Sequence, residues 1–227
     1  MIKIIATAGE EDLQKLESID TKDIDILEIR LDLISKKFIR GSLIEYLRRW
    51  NKPLLFTYRL KEDSSEKKHT SVKYDYISTI LEMYNRKENY LDIDLSKKNS
   101  IFNDLNNNKF TKIYSYHDFN GYPNLITMKN YIESIQISAN DKNNIFKFAV
   151  LPASLEEDIQ FLENSKQLAL EYKLALIIMG ERGIYSRIFG DMYGSILTYA
   201  CLNEPRAPGQ IKAKDIRKFR TLCGLKN

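Results

Sequence analysis

Short apolar runs alternate with longer amphipathic stretches along the whole chain. The apolar runs read as strands at Ile2–Thr7, Asp25–Leu31, Pro53–Arg59, Tyr90–Asp94, Phe110–Tyr116, Ile145–Val150, Leu174–Met179 and Ser195–Ala200. Glu11–Ser18, Ser42–Trp50, Val72–Asn85, Met128–Ser138, Ser154–Tyr172 and Ala213–Cys223 carry helical periodicity. Ser42 with Glu45 and Ser154 with Glu157 fit capping boxes, and Pro53 opens a strand where it cannot prolong a helix. A turn cluster of Asp118, Asn120, Gly121, Pro123 and Asn124 closes the fifth strand. Strict β–α alternation demands parallel strands with right-handed crossovers. Eight of them in 227 residues predict a closed (β/α)8 TIM barrel, one domain over residues 1–227. A six-stranded doubly wound sheet is the rival fold. No G-x-G-x-x-G follows the first strand, where Thr7-Ala8-Gly9 stands instead, and no Pro/Gly/Ser-rich linker divides the chain.

Composition narrows the function classes. A net charge of +4 with Lys and Arg spread along the chain offers no concentrated basic face for nucleic acid and suits a small anionic substrate at least as well. No run reaches the length needed to span a bilayer, and the N-terminus enters a strand without a leader pattern, so no membrane association is expected. Cys201 and Cys223 have neither metal-ligand spacing nor a disulfide framework, which predicts a reduced, cytoplasmic protein without a metal. Polar patches at Lys61–Lys68 and Asn103–Lys109 read as a mobile loop after the third strand and a surface helix end.

In a β/α barrel, chemistry gathers at the C-terminal ends of the strands. Glu28, Arg30 and Asp32 alternate along the second strand and share one face, either as an internal salt bridge or as ligand-binding charges. Arg59 ends the third strand; in line with Arg30 it would form a two-point clamp. His117 sits where the fifth strand meets its turn, the place for an acid–base group titrating near neutrality, or for a structural cap; His69 lies in the Lys-rich patch. Lys147, between Phe146 and Phe148, is costly to bury charged; desolvation and a nearby cation would free its amine as a nucleophile toward a ketone. A lysine snorkelling from an edge strand is the alternative, which a closed barrel removes. Ser186 reads as the cap of a short helix, with Arg187 near its N-terminus, a poor place for a cation unless an anion binds there. The Pro208-Gly209 turn would present Gln210 at the barrel mouth.

The ordered set of Glu28-Ile29-Arg30-Leu31-Asp32, Phe56-Thr57-Tyr58-Arg59, Ser115-Tyr116-His117-Asp118-Phe119, Lys147-Phe148-Ala149, Gly183-Ile184-Tyr185-Ser186-Arg187, Gly194-Ser195 and Ala207-Pro208-Gly209-Gln210 resembles the type I 3-dehydroquinate dehydratase family over nearly the whole chain. The resemblance implies a (β/α)8 barrel, commonly a homodimer, that converts 3-dehydroquinate to 3-dehydroshikimate by syn dehydration without a cofactor. It assigns the Schiff base to Lys147, proton transfer to His117, and the orienting of His117 to Glu28. It gives the substrate carboxylate to Arg187, and hydroxyl binding or bracing to Arg30, Arg59 and Gln210. Phe119, Met179 and Tyr199 would wall the ring. Two positions depart from the family pattern. Glu62-Asp63-Ser64-Ser65-Glu66 replaces a frequent Glu-Gly-Gly, with Asp63 where an acidic lid residue would fall. Arg206 stands where Ser often precedes the Ala-Pro-Gly-Gln segment. Rival functions are another Schiff-base barrel, such as a class I aldolase or transaldolase, and a non-catalytic anion-binding barrel.

Overall fold

The computed structural model describes residues 1–59, 74–94, 109–139 and 142–226. Eight parallel strands close into a barrel: β1 (Lys3–Ala8), β2 (Ile26–Arg30), β3 (Leu54–Thr57), β4 (Tyr90–Asp94), β5 (Thr111–Asp118), β6 (Ile145–Val150), β7 (Lys173–Ile178) and β8 (Ser195–Cys201), each paired with its neighbours in chain order. β8 pairs back onto β1, with Ile5 opposite Tyr199 and Thr7 opposite Cys201. The doubly wound sheet is therefore excluded, and so is an edge for Lys147.

Period-two alternation sorts the side chains. One set points outward, and Ile4, Leu27, Phe56, Leu91, Phe146, Phe148 and Leu176 pack beneath the helices. The other fills the barrel interior, where Ile5, Ile26, Leu55, Ile113, Ile145 and Leu197 form an apolar floor. Continuing each inward row toward the C-terminal mouth gives Thr7, Glu28, Thr57, Asp92, Ser115 and Lys147, then Arg30, Asp94 and His117. The register aligns the first group: Thr7 lies opposite Glu28, Thr57 opposite Asp92, and Ser115 opposite Lys147. An apolar plug thus carries a polar layer, and that order sets where chemistry can occur.

The described helices are α1 (Glu10–Gln14), α2 (Lys36–Gly41), α3 (Leu43–Arg49), α4 (Tyr74–Met83), α5 (Leu125–Ala139), α6 (Leu155–Leu168), α7 (Ile184–Phe189) and α8 (Ala213–Leu222). None of them is long and apolar enough to cross a membrane. Two capping expectations change. Ser42 makes no side-chain cap, because it continues directly from α2, whose own N-cap is Ser35 accepting from Phe38 N at 3.2 Å. Ser154 does cap α6, accepting from Glu157 N at 3.3 Å, but the Glu157 carboxylate turns to the Ala153 N–H at 2.7 Å instead of closing the box. The expected first helix splits into α1 and a 3-10 turn at Leu16–Ser18. The start of the Val72–Asn85 expectation, the patch at Lys61–Lys68, most of that at Asn103–Lys109, His69 and Asp63 lie outside the described residues.

Candidate active site

At the C-terminal mouth a cavity of about 240 Å3 is lined by Glu28, Arg30, Arg59, His117, Phe119, Lys147, Met179, Arg187, Tyr199, Arg206 and Gln210, among others. All the sequence-derived site residues that are described therefore meet in one space. A larger recess of about 520 Å3 lies outside the barrel between α1 and the start of α8. It shares Arg206 with the mouth but holds neither the lysine nor the histidine.

Lys147 is 6% exposed. Its flanking Phe146 and Phe148 face the helices, so the strand's pleat turns the amine inward. Nζ lies 4.5 Å from the centre of the Tyr199 ring and donates to Asp92 Oδ2 at 3.1 Å. This corrects the sequence expectation of a cation beside the amine: its immediate charged partner is a carboxylate. Asp92 is locked in place, since its Oδ1 accepts from Ser115 Oγ at 2.6 Å and from Arg59 Nη2 at 3.1 Å. Burial raises the Asp92 carboxyl, but Lys147 and Arg59 overcome that and bring it to about 2.

His117 Nδ1 lies 3.2 Å from Asp94 Oδ2 and 3.3 Å from Arg59 Nη1, and its ring stacks on Phe119 with centroids 6.4 Å apart. Burial and the Arg59 charge push the imidazole down to about 4, against its hydrogen bond to the Asp94 carboxylate. The expectation of titration near neutrality is corrected accordingly: a buried ring beside a guanidinium stays neutral. Arg59 bridges both carboxylates of β4, pairing with Asp92 and, closely, with Asp94; these charges raise its pKa despite burial.

The Glu28 carboxylate hydrogen-bonds to two hydroxyls and not to His117. Its Oε2 accepts from Thr7 Oγ1 and its Oε1 from Thr57 Oγ1, both at 2.7 Å. Thr7 in turn accepts from Gln210 Nε2 at 3.3 Å. Among the described residues, the carboxylate beside the imidazole is Asp94. The row along β2 divides: Arg30 pairs with Asp32 through two bonds of 2.9 and 2.6 Å, the internal salt-bridge alternative, while Glu28 anchors hydroxyls. Asp32 lies beyond the strand, in the 3-10 turn Leu31–Leu33, and also accepts from the Arg59 main-chain N–H at 3.1 Å.

Ser186 does not cap α7. It lies inside the helix, where its Oγ donates to Gly183 O at 2.7 Å and accepts from Ile178 N at 3.1 Å. This ties the helix to β7. Gly183 is required for that approach, since a Cβ there would lie 2.0 Å from Ile178 O. Arg187 is 1% exposed, and burial alone lowers its guanidinium to about 10.

Gln210 Oε1 accepts from the main-chain N–H groups of Arg206, at 2.7 Å, and Ala207, at 3.2 Å, so its amide holds the mouth loop in shape. Gly209 has φ +77° and packs on Gly180 so closely that a Cβ would lie 2.1 Å from Gly180 O. Arg206 pairs with Asp12 at 2.7 Å.

Sequence reasoning missed Asp92 and Asp94. The signal was present in Asp92-Ile93-Asp94, the same period-two alternation of charge that singled out β2, on a strand whose other residues are Tyr90 and Leu91.

A buried amine, a neutral imidazole and a guanidinium with no counter-charge among the described residues, gathered in the mouth of a closed barrel, define an enzyme of the (β/α)8 class built for amine-mediated carbonyl chemistry. The chain matches the type I 3-dehydroquinase family over residues 1–227 and belongs to it. It is similar to the 3-dehydroquinate dehydratase of Thermodesulfovibrio yellowstonii, 30% identical over 229 residues that cover 98% of this chain and 96% of the relative. The crystal structure of the Geobacillus kaustophilus 3-dehydroquinate dehydratase shares the fold with a TM-score of 0.76 at 24% identity, covering 99% of this chain and 91% of that one. The type I enzyme from Clostridium difficile, with covalent modified comenic acid, does so with a TM-score of 0.76 at 23% identity, covering 98% and 92%.

Proposed function

We propose that this chain dehydrates 3-dehydroquinate to 3-dehydroshikimate, a step of aromatic amino-acid biosynthesis, through a Schiff base on Lys147. The observation that carries the assignment is the placement of Lys147 Nζ: buried, and lining one cavity with His117 and Arg187.

The amine attacks the C3 ketone, and loss of water from the carbinolamine leaves an iminium that acidifies C2. His117, neutral in the resting site, takes the C2 proton and returns one to the C1 hydroxyl, which departs as water. Arg187 binds the carboxylate. Arg30 and Arg59 meet hydroxyls at the cavity wall, and Gln210 does so while shaping the mouth loop. Phe119, Met179 and Tyr199 confine the ring, and Arg206 adds positive charge at the rim. Glu28 braces Thr7 and Thr57, and acts on Gln210 through Thr7. Asp63, four residues past Arg59 in the sequence, is assigned a substrate contact on the family resemblance.

The family resemblance supports a homodimer and a single catalytic domain over residues 1–227. The free thiols of Cys201 and Cys223 fit a reducing cytoplasm. Light scattering behind a sizing column reads the oligomer directly.

The test is ultraviolet absorbance from the enone product when 3-dehydroquinate is added, together with borohydride trapping. The unaltered protein should turn over and gain ligand mass on Lys147, and Lys147→Ala should do neither. An active protein that borohydride leaves unmodified at Lys147 would reject the mechanism.

A further inference from the structure

We infer that Asp92 and Asp94 are paired counter-charges for a positive charge that moves during turnover, Asp92 serving the Lys147 nitrogen and Asp94 serving His117 once it carries the proton. The inference rests on the Schiff-base reading above and deepens it.

The geometry is a two-position rail. Both aspartates belong to β4, and the pleat turns both inward. Asp92 Oδ2 lies 3.1 Å from Lys147 Nζ, and Asp94 Oδ2 lies 3.2 Å from His117 Nδ1. Arg59 clamps the rail by bonding to both carboxylates, and Ser115 fixes Asp92 further. Asp92 thus holds its place at the Lys147 nitrogen and Asp94 at the His117 ring.

The charge ledger of the reaction fits this arrangement. Conversion of R–NH3+ and O=C to R–NH+=C and H2O leaves one positive charge on nitrogen before and after, and two of the nitrogen's protons leave with the ketone oxygen as water. A fixed carboxylate at that nitrogen suits both states. When His117 removes the C2 proton, the C–H electron pair becomes the enamine double bond. The nitrogen turns neutral and the imidazole turns positive. The charge has then left the neighbourhood of Asp92 for that of Asp94. Departure of the C1 hydroxyl with the imidazolium proton sends it back, because the nitrogen lone pair re-forms the iminium as the C–O bond breaks. Hydrolysis by water then releases the product and the ammonium.

The groups facing His117 agree with this sequence. Arg59 and Lys147 oppose its protonation, while Asp94 favours it. The Lys147 charge disappears at the enamine stage, when the imidazolium forms. The same carboxylate favours the Nδ1–H tautomer, which leaves Nε2 as the base.

The two aspartates act through other groups, so their variants should separate by step. In Asp92→Asn, borohydride trapping of 3-dehydroquinate on Lys147 should slow by about tenfold or more. The kinetic isotope effect from deuterium at C2 should shrink as imine formation becomes limiting. In Asp94→Asn, trapping should stay within about twofold, while kcat falls on the order of 10²–10⁴-fold and the C2 isotope effect grows, with KM little changed. Should Asp92→Asn fail to fold, Ser115→Ala removes one donor from Asp92 and should slow trapping a few-fold. Normal trapping in Asp92→Asn, or in Ser115→Ala where that is the variant read, overturns the Asp92 half. An unchanged kcat in Asp94→Asn, or a loss of trapping equal to its loss of turnover, overturns the other half. Absence of trapping in the unaltered protein would instead reject the Schiff-base reading itself.

Discussion

Arg187 reaches Tyr199 through the main chain: Nη1 donates to the Tyr199 carbonyl at 3.1 Å. A further bond runs from Nη2 to Pro208 O at 3.4 Å, and Nε has no partner among the described residues. Among the described residues this buried guanidinium meets carbonyls and no counter-charge, which suits it to bind an anion.

Arg187→Met should therefore separate binding from stability. Charge-assisted hydrogen bonds contribute about 1.5–3 kcal/mol each, so KM for 3-dehydroquinate should rise about 10–100-fold. The melting temperature should hold or increase, because a desolvated charge without a counter-charge has been removed. Steady-state kinetics and calorimetry on one preparation read both quantities.

The mouth rim predicts a weaker dependence on Arg206. Its guanidinium already bonds to Asp12, so Arg206→Ser should change KM less than Arg187→Met does, by under about tenfold. An equal or larger rise in KM would place Arg206 on the carboxylate.

His117 links pH to stability. Its folded pKa of about 4 lies below the ordinary 6.5, so the unfolded chain binds more protons between those values and stability rises with pH across that window. The His117 contribution is complete above about pH 6.5 and is lost as pH falls toward 4. His117→Gln should flatten this part of the profile in urea melts at pH 4.5 and 7. The acid limb of kcat/KM should likewise fall well below pH 6.5 in the unaltered enzyme.

Gly209→Ala tests the mouth loop. The left-handed backbone strains any side chain by about 1–3 kcal/mol, and the contact with Gly180 O forces the loop outward. Lower thermal stability and a raised KM are expected, with far-ultraviolet dichroism preserved.

The barrel was readable because its strands are short apolar runs separated by helical periods, and β6 was placed at its observed bounds. Lys147 was readable for the same reason, since a charge between two phenylalanines violates the pattern around it. The polar contacts were harder to read. Asp92 and Asp94 differ little from ordinary strand-end acids until β3 and β5 close around them, and the Glu28 partnership with Thr7 and Thr57 depends on register across three strands. Helix α2 escaped notice because it is short and runs almost directly into α3. Ser186 departs from the expected helix cap because its partners, Ile178 N and Gly183 O, come together only when α7 folds back on β7.

The seam between β1 and β8 has a consequence for biosynthesis of the enzyme. Thr7 leaves the ribosome well before Tyr199 and Gln210, which complete the same pocket. A nascent chain halted before those residues emerge would display the amine and imidazole in an unfinished ring, open to water on one side. Competence for dehydration should therefore arrive in one step, when β8 zips onto β1.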